Sequence, residues 1–155
     1  MARKAAKIDV TINSATFNDV ASTQRLSPAT FTLAAGTSPA IGVTQDPVTQ
    51  RLNVSEVAKL AFRFPVDGGG NPIFKPIDAM FVQTAVTPGQ PADDDGRRNI
   101  ISRVRNNRNW LVVLNALNEG DPVNPTKWKY FIAVLEVGTG KIGIIDPEIS
   151  NVDQD

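Results

Sequence analysis

The stretch that most constrains the fold is 128–147, where two apolar runs flank a pair of glycines. Residues 128–137 (WKYFIAVLEV) are rich in aromatic and β-branched side chains, which favour strands. Gly138 and Gly140 supply a turn, and the second run ends at Asp146-Pro147. Because proline cannot donate a ladder hydrogen bond, we expect pairing to stop there. The pattern predicts a β-hairpin.

Both faces of the first hairpin strand are apolar. Alternation along a strand assigns successive side chains to opposite faces. One face receives Trp128, Tyr130, Ile132 and Val134, and the other receives Phe131, Ala133, Leu135 and Val137. We expect the aromatic side chains to belong to the core.

Alternation with a period of two residues recurs earlier, most clearly where Ile8, Val10 and Ile12 share one face. Further strands are predicted at 29–33, 41–43, 60–64, 99–104 and 109–115. Residues 51–59 fit neither period, and 55–59 are compatible with one helical turn. The count predicts an all-β fold, an antiparallel immunoglobulin-like β-sandwich of seven to nine strands. A closed barrel is the alternative.

A chain of 155 residues is the size of one domain. We expect a single β-sandwich domain over 7–151, between disordered tails at 1–6 and 152–155. No apolar run approaches the roughly 20 residues that cross a bilayer. The sequence therefore predicts a soluble protein.

The sequence has no cysteine and no histidine. Disulfides, thiolate nucleophiles and thiolate metal sites are excluded. The usual general base near neutral pH and the commonest zinc ligand are also missing. We therefore expect a protein that is not an enzyme and holds no cofactor, in a reducing, cytoplasmic compartment.

The 16 basic and 16 acidic residues balance to a net charge of zero, which argues against nucleic-acid binding through a strong overall field. The basic residues cluster in one stretch, close to Trp110. This stretch is the candidate binding surface and consists of Arg97, Arg98, Arg103, Arg105 and Arg108. An ordinary solvent face or a protein interface explains it better than a nucleic-acid site, because residues 111–114 direct Trp110 toward the core.

Three consecutive carboxylates, Asp93, Asp94 and Asp95, form the weak candidate for a metal loop. Calcium takes six to eight oxygen ligands, and such a loop supplies some of them. The alternating spacing of an EF-hand loop is absent, and Arg97 and Arg98 compete for the carboxylates. A solvated surface loop is therefore the favoured interpretation, with no metal bound.

The closing segment also carries a resemblance. The alternation from Trp128 to Val134, the glycine turn and the stretch 145–151 (IDPEISN) resemble the C-terminal hairpin of the small bacterial "DP-EP" proteins. The segment is faintly similar to the bacterial inclusion-body proteins as well. The first resemblance implies a β-sandwich fold and no activity, and the second implies self-association.

Exposed strand edges pair readily, and zero net charge gives little repulsion between copies. The sequence therefore predicts a self-associating or protein-binding module, a homodimer or higher oligomer. One alternative is a small-ligand or carbohydrate-binding sandwich, with loops 68–76 and 88–98 as its rim and Trp110 or Trp128 as its stacking platform. Another is a structural component of a phage or secretion particle.

Overall fold

In the computed structural model, β-strands are the main secondary structure of the described residues. The structure describes residues 5–23, 26–34, 42–54, 58–85, 100–104, 109–115, 126–145 and 148–151. Eleven strands lie in these ranges, more than the seven to nine predicted: β1 (Ala5–Thr11), β2 (Thr30–Leu33), β3 (Val43–Gln45), β4 (Leu52–Val54), β5 (Ala58–Arg63), β6 (Phe74–Ala85), β7 (Ile100–Val104), β8 (Trp110–Asn115), β9 (Thr126–Glu136), β10 (Ile142–Ile145) and β11 (Glu148–Asn151).

The all-β prediction is confirmed. The only helical elements in the described ranges are a 3-10 turn at Ser14–Thr16 and a four-residue helix at Val20–Thr23. The ambiguous stretch 51–59 contains β4 and the start of β5, while 55–57 lie outside the described residues. Among the residues described, no helix has the length and apolar character needed to cross a membrane.

The strands form two open sheets. The first sheet has the order β2-β1-β5-β8-β7. The second has the order β10-β9-β11-β4-β3, and β6 pairs with the other edge of β9. Most neighbours are antiparallel, but β1 pairs with β5 in parallel and β4 pairs with β11 in parallel. The prediction of a wholly antiparallel arrangement is therefore wrong, because β1 and β11 each join a strand that is distant in sequence.

Both sheets bury their alternate residues in one shared core. In β1, Ile8 is fully buried while its neighbour Lys7 is exposed, as the period of two predicts. Phe62 of β5 meets Phe31 of β2 edge to face at 6.2 Å between ring centroids. Such apolar contacts supply the main stabilisation of the fold.

The hairpin predicted at the end of the sequence is confirmed. β9 and β10 are antiparallel, and Gly140 takes a positive φ of 72° in the turn between them. Glu136 lies at this turn with 5% of its surface exposed, and its Oε1 accepts a hydrogen bond from the Thr139 hydroxyl at 2.5 Å. This buried carboxylate is therefore part of the turn.

The strand β10 ends at Ile145, directly before Asp146-Pro147, as predicted, but a further strand pairs with β9 from Glu148 onward. Asp146 and Pro147 lie outside the described residues. Ile145 lies opposite Ile132 in β10, and Glu148 lies opposite Lys129 in β11. The register is the same on both sides of the dipeptide, so β10 and β11 follow one line along β9. A proline costs a ladder at most one donor, and the flanking residues are able to continue it.

Proline also lies inside β6. Pro76 is buried and faces Val134 of β9, next to a register shift between Pro76 and Asp78. The strand tolerates it because β6 is an edge strand in the described part of the second sheet, where one row of N–H groups has no strand partner. Pro76 and the bulge therefore mark this edge without ending the strand.

Two turns are each closed by hydrogen bonds to an aspartate, Asp67 in one and Asp46 in the other. The Asn71 and Gly69 N–H groups donate hydrogen bonds to the Asp67 carboxylate, and these bonds hold the turn at 67–72. The same hydrogen bonds lower the pKa of the Asp67 carboxyl. The Thr49 and Val48 N–H groups do the same for the pKa of Asp46, in the loop between β3 and β4. The glycine-rich segment 68–70 is thus a closed turn.

Candidate functional site

The outward side of the second sheet carries apolar residues across two neighbouring strands. In β9, Phe131, Ala133 and Leu135 are half-buried, and they alternate with the fully buried Ile132 and Val134. The half-buried three therefore point away from the core. The first hairpin strand is apolar on both faces, as the sequence predicts, but only one of them belongs to the core.

Cross-strand pairing places further residues on this side, because side chains directly opposite each other share a face. One row consists of Lys75 of β6, Leu135 of β9 and Ile142 of β10. The next row consists of Asp78, Ala133 and Ile144 in the same three strands. These two rows together with Phe131 are named the β9 face.

Exposed apolar side chains gather around the β9 face. Ile142 lies within it and is 41% exposed. Leu26 extends the second row, because it forms a parallel bridge with Ile144 and is 46% exposed. At the hairpin end, the Val137 N–H donates to the Ile73 carbonyl at 2.9 Å, and their side chains are 46% and 36% exposed. Contiguous apolar surface of this kind marks interaction sites.

The β9 face contains a depression. It has a volume of about 220 Å³ and is lined by Asp78, Ala79, Phe131, Ala133 and Ile144. The methyl group of Ala133 is short beside Phe131 and Ile144, and this difference in size creates the hollow. The volume is below the roughly 300–1,000 Å³ of small-molecule pockets, so the hollow suits a single inserted side chain better than a ligand.

The outward side of the first sheet carries a row of interacting polar residues beside a mixed row that includes Ala61 and Val112. The interacting row consists of Thr32, Asp9, Arg63 and Trp110. Arg63 binds Asp9 with two hydrogen bonds, Nε to Oδ1 at 2.7 Å and Nη2 to Oδ2 at 2.9 Å. The Arg63 guanidinium carbon also lies 6.0 Å from the centre of the Trp110 ring. The charges and the ring on this surface are therefore engaged with one another.

The edge of β2 is capped by glutamine side chains from the β3–β4 hairpin. Gln45 Oε1 accepts from the Leu33 N–H at 2.9 Å, and Gln45 Nε2 donates to the Phe31 carbonyl at 2.7 Å. Gln50 has a positive φ of 61°, and its Oε1 accepts from the Phe31 N–H at 3.4 Å. These amides satisfy the groups with which an added strand would pair.

The outer edge of β10 is also covered. The Ser27 N–H donates to the Ile144 carbonyl at 2.7 Å, and the Ser27 hydroxyl accepts from the Asn18 N–H at 2.8 Å. The β6 edge has Pro76 and its bulge. Association through strand edges, which motivated the sequence-based hypothesis, thus meets a cap or an interruption at each of these three edges.

Most residues of the candidate sites lie outside the described residues. These are the acidic residues Asp93, Asp94 and Asp95 and the basic residues Arg97, Arg98, Arg105 and Arg108. Arg103 lies in β7, where its backbone is opposite Val112 of β8. In the ranges that the structure describes, no three acidic side chains are close enough together to hold a metal ion.

The proposed ligand rim is described only in part. Its loop at 68–76 is present, with the turn closed by Asp67, while 88–98 lie outside the described residues. Trp110 is half-buried beside Arg63 and does not line the depression. The structure does not describe the side chain of Trp128.

Sequence reasoning missed Lys75, Asp78, Ile142 and Ile144 as members of a surface. A signal for part of it existed, because Ile144 and Ile145 are adjacent and must point to opposite faces of their strand. Comparison of the chain with protein-family models, with curated proteins and with solved structures gives no match. The resemblance to the "DP-EP" and inclusion-body proteins therefore stays a prediction.

Proposed function

We propose that this chain is a non-enzymatic protein-binding module that self-associates through the β9 face. The observation that carries the proposal is the contrast between the two outward sheet surfaces. Apolar side chains make up most of the β9 face, while on the first sheet Arg63 binds Asp9 and lies over the Trp110 ring. Burial of exposed apolar area is the principal drive for protein association.

The proposal assigns association to a sheet face and not to a strand edge. Capping by Gln45 and Gln50 at β2, cover by Ser27 at β10 and the proline in β6 all disfavour the addition of a strand. The β9 face has none of these features. Packing of one such face on another resembles the packing of sheets within a protein.

The fold proposal that goes with this function is an immunoglobulin-like β-sandwich. Its support is the shared core, in which buried residues of the first sheet, such as Phe62 and Leu111, belong to one cluster with Leu52 and Ile132 of the second. In such a sandwich each sheet has one inner and one outer surface. The β9 face is then the outer surface of one layer.

Sedimentation velocity over a range of concentrations tests the function. We expect the wild-type protein to form a reversible dimer and Ile142→Asp to raise the dissociation constant at least 30-fold, because an unpaired carboxylate would be buried. Thr32→Asp is the matched control, since Thr32 is an exposed strand residue on the outward side of the first sheet. It should associate as the wild type does.

Circular dichroism spectra and urea unfolding check that both variants fold. A wild-type protein that stays monomeric at the highest concentration would refute self-association. Equal weakening by Ile142→Asp and Thr32→Asp would refute the assignment to the β9 face.

A further inference from the structure

We propose that the occupant of the β9 face is a second copy of this chain, related by a twofold axis that brings Lys75 of each copy opposite Asp78 of the other. This inference rests on the proposed function and names its partner and the arrangement. It starts from the charged rim of the face. Lys75 and Asp78 are both exposed, and both lie in β6.

The two charges at this rim form no ion pair within the described part of the chain. Lys75 takes part in no ion pair in the described part of the chain. The Asp78 carboxylate accepts a hydrogen bond from the N–H of its neighbour Ala79 at 2.8 Å. The two side chains do not pair with each other, although they belong to adjacent rows of one sheet face. Each head group is therefore available to a partner.

Opposite charges at the start of two adjacent rows make the surface complementary to itself. A twofold axis that lies between the two rows and runs parallel to them exchanges the rows, so it brings each ammonium group toward a carboxylate. A surface with one sign of charge would be repelled by its own copy and would call for a different partner. The equal number of basic and acidic residues adds no overall repulsion between copies.

The shape of the β9 face has the same property. The row that begins with Lys75 contains the large side chains of Leu135 and Ile142. The row that begins with Asp78 contains Ala133 and Ile144, with the depression of about 220 Å³ beside them. The same twofold axis lays Leu135 of one copy over the depression at Ala133 of the other. Shape and charge thus select one arrangement, an isologous dimer that closes on itself.

Charge reversal tests this arrangement. K75E would bring carboxylates together across the axis, and D78K would bring ammonium groups together. We expect each single variant to raise the dimer dissociation constant about tenfold, and the double variant K75E/D78K to restore it to within about threefold of the wild type. The single effects should shrink as salt is added.

The control for charge reversal is K7E, on the exposed outward side of the first sheet. It should leave the dimer unchanged. The proposed arrangement is overturned if Ile142→Asp dissociates the dimer but neither single reversal weakens it, or if the double variant is not rescued. Self-association itself would survive that result. A monomeric wild-type protein would overturn both proposals, and oligomers larger than a dimer would overturn the closed twofold arrangement.

Discussion

The outward surfaces of the two sheets differ in whether their side chains contact one another. On the first sheet, Arg63 binds Asp9 and lies over the Trp110 ring, and the edge strand β2 is capped by Gln45. On the second sheet, the corresponding positions are apolar, and the charges at the rim have no partner of opposite sign in the described residues. Polar side chains on the first surface bind one another, whereas the β9 face leaves apolar side chains exposed.

This difference separates stability from association. A substitution on the first sheet should change how well the chain folds, because its partners are internal. Under the proposal that the β9 face binds a second copy, a substitution on this face should change association. A substitution that changed both folding and association would contradict this separation.

The largest effect on stability is expected directly beneath the β9 face, at Gly143. A Cβ there would lie 2.6 Å from Phe17 ring atoms and 2.9 Å from the Asn18 carbonyl oxygen. Gly143→Ala should therefore lower the free energy of unfolding by about 2 kcal/mol, which urea unfolding measures. Gly138→Ala is the control, since a Cβ at that position meets nothing within 4 Å.

Ile142 and Gly143 allow association and stability to be tested separately, because they are adjacent in β10 and point to opposite sides. Ile142→Asp should dissociate the dimer and leave unfolding nearly unchanged, while Gly143→Ala should do the reverse. Equal stability losses in Gly143→Ala and Gly138→Ala would show that Phe17 and Asn18 yield without cost.

A smaller effect is expected at the capped edge of the first sheet. Gln45→Leu removes the partners of the Leu33 N–H and the Phe31 carbonyl, and it should cost about 1–2 kcal/mol of unfolding free energy. It should also expose the β2 edge, so that light scattering detects aggregates that the wild-type protein does not form. Thr44→Ala, at the exposed neighbouring position in β3, should do neither. If Gln45→Leu is as stable as that control, the cap contributes nothing.

The smallest effect is expected for the ion pair of the first sheet. The side chains of Arg63 and Asp9 are 30% and 49% exposed, so water and salt screen their attraction. A double-mutant cycle with Asp9→Ala and Arg63→Ala should give a coupling of about 0.5–1 kcal/mol, which falls in high salt. A coupling free energy of zero would mean that Arg63 and Asp9 do not stabilise each other.

Local sequence patterns were sufficient to identify many of the strands, such as β1, β5, β8 and the β9–β10 hairpin, but not β4, β6 or β11. The alternation of Ile8 and Val10 with polar residues, and the glycines at 138 and 140, report on the conformation of a few neighbouring residues, which is what periodicity and turn chemistry encode. The strand pairing was less predictable. The parallel partners β1–β5 and β4–β11 are chosen by packing across the whole core, and no local pattern records that choice.

The candidate surface, the β9 face, was only partly predictable from the sequence. The alternation of Phe131, Ala133 and Leu135 indicates a second apolar face, but two apolar faces of one strand look alike until the fold buries one of them. Lys75 and Asp78 join the surface only through the register of β6, and that register depends on a bulge beside Pro76. A bulge has no dependable sequence signature when the residue is not glycine.

The position of β11 between β9 and β4 has a consequence for the folding of the protein. In the described part of the second sheet, β3 and β4 join the other strands only through β11, which lies far behind them in the sequence. The edge of β4 that pairs with β11 therefore stays unoccupied until residues 148–151 join the sheet. Non-local pairing of this kind slows folding and prolongs exposure to aggregation. The pairing of β11 is thus the step that attaches the β3–β4 hairpin to β9.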